Sequence, residues 1–304
     1  MAAMSDNARG ALLMMGGMAS FTINDACLKL LLEDLPLFQT LFLRGIGTVV
    51  AFACLLPFWG GFRMDLHRRD WLLIGLRTLS EALAAYLFLT ALMHMKLANV
   101  SAILQSLPLT VTLGAALFFK EPIGWRRLGA IVVGFGGVML IVQPGAADFN
   151  QYSLMAVGSV LCVTVRDLAT RRMSRAVPSM MVSFCAGAGL TAVFGLGSLV
   201  MEPWVMPTGL GLGQLLAATV FVIFGYLFSV MSMRVGELSF VAPFRYTSLL
   251  CALLLGYVLF DEWPEAVKML GAVIVVATGA YTFARERRLK RAALASAGSG
   301  AATD

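Results

Sequence analysis

Charge is what this sequence has least of. Only 13% of its 304 residues are Asp, Glu, Lys or Arg, while 59% are hydrophobic, and the mean hydropathy is +0.84. A soluble domain carries about 25% charged and about 45–50% apolar residues. A water-facing surface for a chain of this size cannot be built from so little charge. Histidine is almost missing, with His67 and His94 alone, both at the ends of apolar blocks. No HExxH, Ser–His pair or clustered carboxylate pair occurs, so an intramembrane enzyme has no evident machinery. The absence of GxxxxGK[ST] removes an ATP motor from this chain. The five cysteines stand singly in separate apolar blocks, with no CxxC, and read as small buried hydrophobes. No metal and no cofactor is expected.

What is present is a succession of apolar blocks about twenty residues long, the length that crosses about 30 Å of hydrocarbon. A β-barrel would show short alternating segments instead. The expected fold class is an all-α polytopic membrane protein with ten spans, at 9–31, 36–58, 71–93, 97–118, 125–143, 152–170, 178–200, 211–233, 238–260 and 266–284. Connections are short, leaving no room for a soluble domain. The N-terminal segment has no cleavage site distinct from the first span and reads as a retained helix. The Ala/Ser/Gly-rich tail from Ala292 is predicted to be disordered. The net charge of +6 is explained by topology rather than by a nucleic-acid partner. With the N-terminus inside, the inner segments carry sixteen Lys and Arg, and the outer ones only Lys29, Lys96 and Lys268. Both termini are therefore expected in the cytoplasm, and the protein in a bacterial inner membrane among lipid.

The two halves resemble each other. NDACLK (24–29) precedes RDLATR (166–171) by 142 residues, placing Asp25 over Asp167 and Lys29 over Arg171. Pro36 falls on Pro178 at the same offset, AYLF (85–88) on GYLF (225–228) at 140, and FFKEPIGWRRLGA (118–130) on LFDEWPEAVKMLGA (259–272) with one insertion. The domain reading is a tail at 1–8, five-helix repeats at 9–145 and 150–286, and a basic, then disordered tail at 287–304. Five spans per repeat means that the second enters from the opposite side. Such inverted repeats are typical of secondary transporters, with the site at the repeat interface near the midplane.

Several motifs carry a family resemblance. They are NDACLK in span 1, LFLRG (41–45) in span 2, Arg77 in span 3, LQSLPL (104–109) in span 4, FKEPIGWRRLGAIVVGFGGV (119–138), and APFRYTSLL (242–250) in span 9. Together they resemble the EamA-type branch of the drug/metabolite transporter superfamily over about residues 9–285. Within that branch the NDxxxK start and the APFRY stretch are most similar to bacterial S-adenosylmethionine uptake transporters. Riboflavin transporters and aromatic amino acid exporters are similar branch members. The resemblance implies a central cavity lined by spans 1, 3, 4, 6, 8 and 9.

The residues inside the spans carry the chemistry. A charge at the centre of a span costs about 2.5–3.5 kcal/mol on insertion scales, so such residues pair or line a wet cavity. Arg245 lies near the middle of span 9, between Pro243, which weakens the helix, and Tyr246. Its planar fork suits a carboxylate or another anionic group; the alternative is an internal pair with Glu81 or Asp167. Arg77 and Glu81 share a face by their i,i+4 spacing. Pro108 weakens span 4 beside Gln105 and Ser106, which offer neutral hydrogen bonds. Tyr86 and Tyr226, counterparts in the two repeats, suit a flat or aromatic substrate. These eight, Arg245, Tyr246, Glu81, Arg77, Gln105, Ser106, Tyr86 and Tyr226, are the candidate substrate-binding residues. Asn24, Asp25, Arg44, Arg166 and Asp167 are candidates for gating or ion coupling; Asp25 has Lys29 one turn away as an alternative partner. Small faces on span 5 (Gly134, Gly136, Gly137) and span 10 (Gly271, Ala277, Gly279) point to close packing within a monomer, or to a homodimer seam.

The expected function is therefore a secondary transporter of a small organic metabolite, S-adenosylmethionine-like, an amino acid or a riboflavin-like vitamin, working by alternating access. Export of aromatic amino acids or drug-like compounds is the alternative. A channel would show a continuous polar ring or filter, which the sequence does not. A coupling proton would have Glu81, Asp25 or Asp167 as its carrier.

Overall fold

In the computed structural model the residues described are 6–55, 65–120, 124–144, 150–174, 177–235 and 238–300. All regular structure among them is helical. The helices are α1 (Asp6–Asp34), α2 (Leu37–Leu55), α3 (Arg68–His94), α4 (Leu97–Leu104), α5 (Leu107–Phe119), α6 (Trp125–Val142), α7 (Tyr152–Arg172), α8 (Ser179–Val200), α9 (Gly209–Val235), α10 (Leu238–Val241), α11 (Thr247–Phe260) and α12 (Ala266–Gly300). A 3₁₀ turn at Ala242–Tyr246 joins α10 to α11.

The surface is inverted relative to a soluble protein. Leu72, Leu76, Leu79 and Leu83 form an exposed stripe along α3, while Asn24, Gln39, Ser159 and Thr164 are buried. A lipid solvent makes this arrangement favourable, because apolar side chains need no shelter there and polar ones do. Among the described residues, eight helical stretches are long and apolar enough to cross a membrane, and the stretches Leu128–Val142 and Ala266–Thr282 are apolar and shorter than these. The basic, disordered tail expected over 287–304 is corrected in part. α12 continues to Gly300, and the alanines of AALASA (292–297) are the strongest intrinsic helix formers.

Two of the expected spans are interrupted, and at equivalent registers. Span 4 breaks at Gln105 and Ser106, where the Ser106 N–H bonds to the Ile103 carbonyl, three residues back, at 3.0 Å. Pro108 lacks the N–H that would have bonded to Leu104. Span 9 breaks in the 3₁₀ turn, which contains Pro243. The helices after both breaks end in a left-handed residue, Lys120 at φ 54° and Asp261 at φ 50°. These are counterparts in the repeat, each just before a glutamate.

Packing follows the repeat. α1 lies along α9, and α3 along α7; α2 pairs with α8, and α6 with α12. Exchanging each first-half helix for its second-half counterpart returns the same set of pairs. The α6–α12 crossing is close because a Cβ at Gly137 would meet the Gly271 carbonyl, and one at Gly271 the Gly137 carbonyl. The main apolar cluster, with Leu28, Leu31, Leu32, Leu89, Leu92 and Leu97 fully or nearly buried, fills one end of the bundle. That end holds Lys29 and the α3–α4 turn.

Candidate functional site

A cavity of about 450 Å³ lies between the two halves. It is bounded by α1, α2, α3, α7, α8, α9 and the two broken spans. Leu41 and Phe194 belong both to its wall and to the apolar cluster, so the cluster roofs it at the Lys29 end.

Ten of the thirteen candidate residues line this cavity: Asn24, Asp25, Arg44, Arg77, Glu81, Gln105, Arg166, Tyr226, Arg245 and Tyr246. Ser106 does not; it is 2% exposed and its hydroxyl bonds to the Ile103 carbonyl at 2.6 Å, satisfying the break instead. Tyr86 also stands off the wall, packed in the apolar cluster with its ring 5.9 Å from Phe38. Asp167 sits behind Arg166, which it contacts at 2.9 Å.

The charges divide into a paired group and an unpaired one. Arg77 Nη1 lies 2.7 Å from Glu81 Oε2, as the i,i+4 spacing predicts, and Arg77 Nε donates to Thr170 Oγ1 at 3.1 Å. Arg166 approaches the other Glu81 oxygen at 3.5 Å. Glu81 and Asp167 are therefore already engaged by Arg77 and Arg166. Arg245 is exposed although it sits deep in span 9, and the surface it exposes is cavity wall. Among the described residues no hydrogen bond or ion pair engages its side chain; its electrostatic neighbours are Asp167, Arg166 and Tyr246.

On the other wall Asn24 bridges two charges. Its amide donates to Asp25 Oδ1 at 2.9 Å, and its carbonyl accepts from Arg44 Nη1 at 3.3 Å. Arg44 Nε is buried with no partner among the described residues. Tyr226 presents a ring held edge-on by Phe21 at 5.3 Å and Phe52 at 5.5 Å. Gln105 donates to Ser248 Oγ, tying the two broken spans together at their breaks. Tyr246 turns its hydroxyl away to Gly279 on α12, where it is buried without a partner among the described residues.

Lys29 was not among the candidates, and Asp25, offered as one alternative partner for it, is not the one it has. Lys29 Nζ pairs with Glu262 Oε1 at 2.5 Å and donates to the Met95 carbonyl at 2.8 Å. Glu262 Oε2 accepts the Leu97 N–H at 2.8 Å. This knot joins α1, the α3–α4 turn and the end of α11 across the roof of the cavity. The repeat alignment offered one signal: Lys29 and Arg171 are counterparts, and a glutamate follows both broken spans.

A family model described as the EamA-like transporter family matches residues 8–143 and 151–283. The chain belongs to the EamA-like transporter family. It is a multi-pass transporter of the inner membrane, not an enzyme. Among its relatives, the riboflavin transporter of Vibrio cholerae is 30% identical over 247 residues, covering 80% of this chain and 82% of that protein. The S-adenosylmethionine uptake transporter of Rickettsia conorii is 28% identical over 60% of this chain and 62% of its own length. The pseudopaline exporter of Pseudomonas aeruginosa is 27% identical, over 88% and 93%. A crystal structure 20% identical superposes with a TM-score of 0.64 over 92% of this chain and 98% of its own, which concerns the fold alone. EamA-like relatives thus include uptake and export proteins by name.

Proposed function

We propose that the protein is a secondary carrier moving a small organic metabolite by alternating access between two inverted five-span halves. The observation that carries this reading is Arg245, an arginine inside a span that faces a cavity and whose side chain has no hydrogen-bond or ion-pair partner among the described residues. An unpaired charge there is expensive, and a bound anionic group is the partner that would offset it. The two broken spans meeting at that cavity support the reading, since discontinuous helices at a repeat interface build the sites of such carriers. Helix pairing that survives exchange of the halves supports a pseudo-twofold relation. The excess of Lys and Arg at the ends opposite Lys29 supports both termini in the cytoplasm.

The cycle we envisage has one gate at each end. The Lys29–Glu262 knot closes the outer end, and the Arg77–Glu81–Arg166–Asp167 group lies toward the inner one. Rocking one half against the other exchanges which gate is closed. Asp25, which makes no ion pair among the described residues, is the proposed proton site if the cycle is proton-coupled. Phe21, Phe52, Phe88 and Tyr226 favour a substrate with a flat group, which makes a riboflavin-like vitamin or an aromatic amino acid fit the walls. The same aromatic lining favours a second reading, export of aromatic amino acids or drug-like aromatics.

The test is accelerated exchange in proteoliposomes, preloaded with riboflavin, tryptophan, S-adenosylmethionine or nothing. Exchange with one of the three, or with an aromatic diacid run beside them, lost in Arg245→Ala protein that stays folded, is the expected result. A flux that needs no countersubstrate and does not saturate would instead indicate a channel.

A further inference from the structure

The cavity wall carries four arginines, Arg44, Arg77, Arg166 and Arg245, against two carboxylates, Asp25 and Glu81. Two of the four are spoken for, because Arg77 and Arg166 share Glu81, and Arg166 also holds Asp167. The other two are not. The Arg245 side chain has no hydrogen-bond or ion-pair partner among the described residues. Among the described residues the Arg44 side chain has a single 3.3 Å bond to a neutral amide oxygen and a buried Nε with none, and Asp25 and Glu81 act on it only through space. Asp25 makes no ion pair with it; one of its oxygens is occupied by Asn24.

A buried donor without an acceptor is costly, and a charged one more so. Arg44 lies on α2, and Arg245 in the break of span 9. One cavity of about 450 Å³ is shared by both, a size that suits a small molecule. Unmet forks on two different elements call for two acceptors on one ligand. We infer that the substrate carries two separate acidic groups, carboxylates or a carboxylate and a phosphate, one seated on Arg245 and the other on Arg44. This inference rests on the reading of the cavity as the substrate site. It moves Arg44 from a gating role to a binding one. It also ranks a net cation last, because a sulfonium and an ammonium against one carboxylate would meet the unpaired arginines with like charge.

The experiment measures dissociation constants in nanodiscs, with probes matched in shape and differing in acidity. The pairs are benzoate with benzene-1,3-dicarboxylate, and glutamine with glutamate. Wild-type protein is expected to bind the more acidic member of at least one pair about tenfold more tightly, the scale of one charge-assisted hydrogen-bonded contact. Arg44→Gln should abolish that preference by weakening the more acidic member about tenfold more than the less acidic one; Arg44→Lys should retain part of it; Arg245→Gln should weaken both members. Equal affinities, preference for the less acidic member, a preference that survives Arg44→Gln, or no binding of any probe would each overturn the inference. Diacid binding without exchange across proteoliposomes would count against the carrier and leave the ligand class standing. Exchange of riboflavin or S-adenosylmethionine by protein that ignores diacids would do the reverse.

Discussion

Arg245 and Tyr246 are neighbours with opposite relations to the cavity. The arginine turns its charge toward it, while the tyrosine lends its body to the wall and hides its hydroxyl against Gly279. Arg245→Ala should therefore leave a folded protein that no longer transports. If Arg245→Ala instead unfolds the protein and Asp167→Asn restores both folding and transport, internal pairing is the better account. Tyr246→Phe removes a buried hydroxyl with no partner. It should raise stability by about 1 kcal/mol and spare transport, read as a higher melting temperature and unchanged exchange. Gly279→Ala should act oppositely, because its Cβ would occupy the space of the Tyr246 hydroxyl. Overpacking of that kind costs about 1–3 kcal/mol, and Tyr246→Phe in the same protein should recover part of it. At this scale the sequence is legible where contacts are local. The Arg77–Glu81 pair follows from i,i+4 spacing, whereas Lys29–Glu262 joins residues 233 apart, which helix periodicity cannot specify. Tyr86 and Tyr226 show the limit of repeat logic, since the same register puts one in an apolar cluster and the other on the cavity.

Among the elements, the two broken spans and the knot at the roof are what the proposed cycle would move. The prolines announced both breaks in the sequence, but the Gln105–Ser248 contact between them depends on how spans 4 and 9 cross. Pro108→Ala should restore a helical N–H at that position. The expected outcome is a more stable protein that exchanges substrate more slowly, seen by comparing melting temperature with exchange rate. The knot makes the opposite prediction. Lys29 and Glu262 side chains are only 10% and 18% exposed, and leaving one such charge unpaired costs about 3–5 kcal/mol. Glu262→Gln should weaken the outer closure and shift the protein toward an outward-open form, while Lys29→Gln added to it should bring the protein back toward the wild-type balance by removing the stranded charge.

For the whole molecule, the balance of composition, block length and charge distribution makes the class readable from the residues alone. The helical course of α12 beyond its apolar block comes from local propensity that block counting does not weigh. The repeat is visible as matched motifs at offsets of 140 to 142, and the helix pairing supports it. The most direct test of alternating access uses Ser229, a cavity-lining residue, as a reporter. In protein whose five cysteines are replaced by alanine, Ser229→Cys is labelled with a membrane-impermeant maleimide from each face of the membrane in turn. A carrier should be labelled faster from the cytoplasmic face, and Glu262→Gln should raise outer labelling while lowering inner labelling. Labelling that rises on both faces at once, or that Glu262→Gln leaves unchanged, would contradict a cavity that opens to one side at a time.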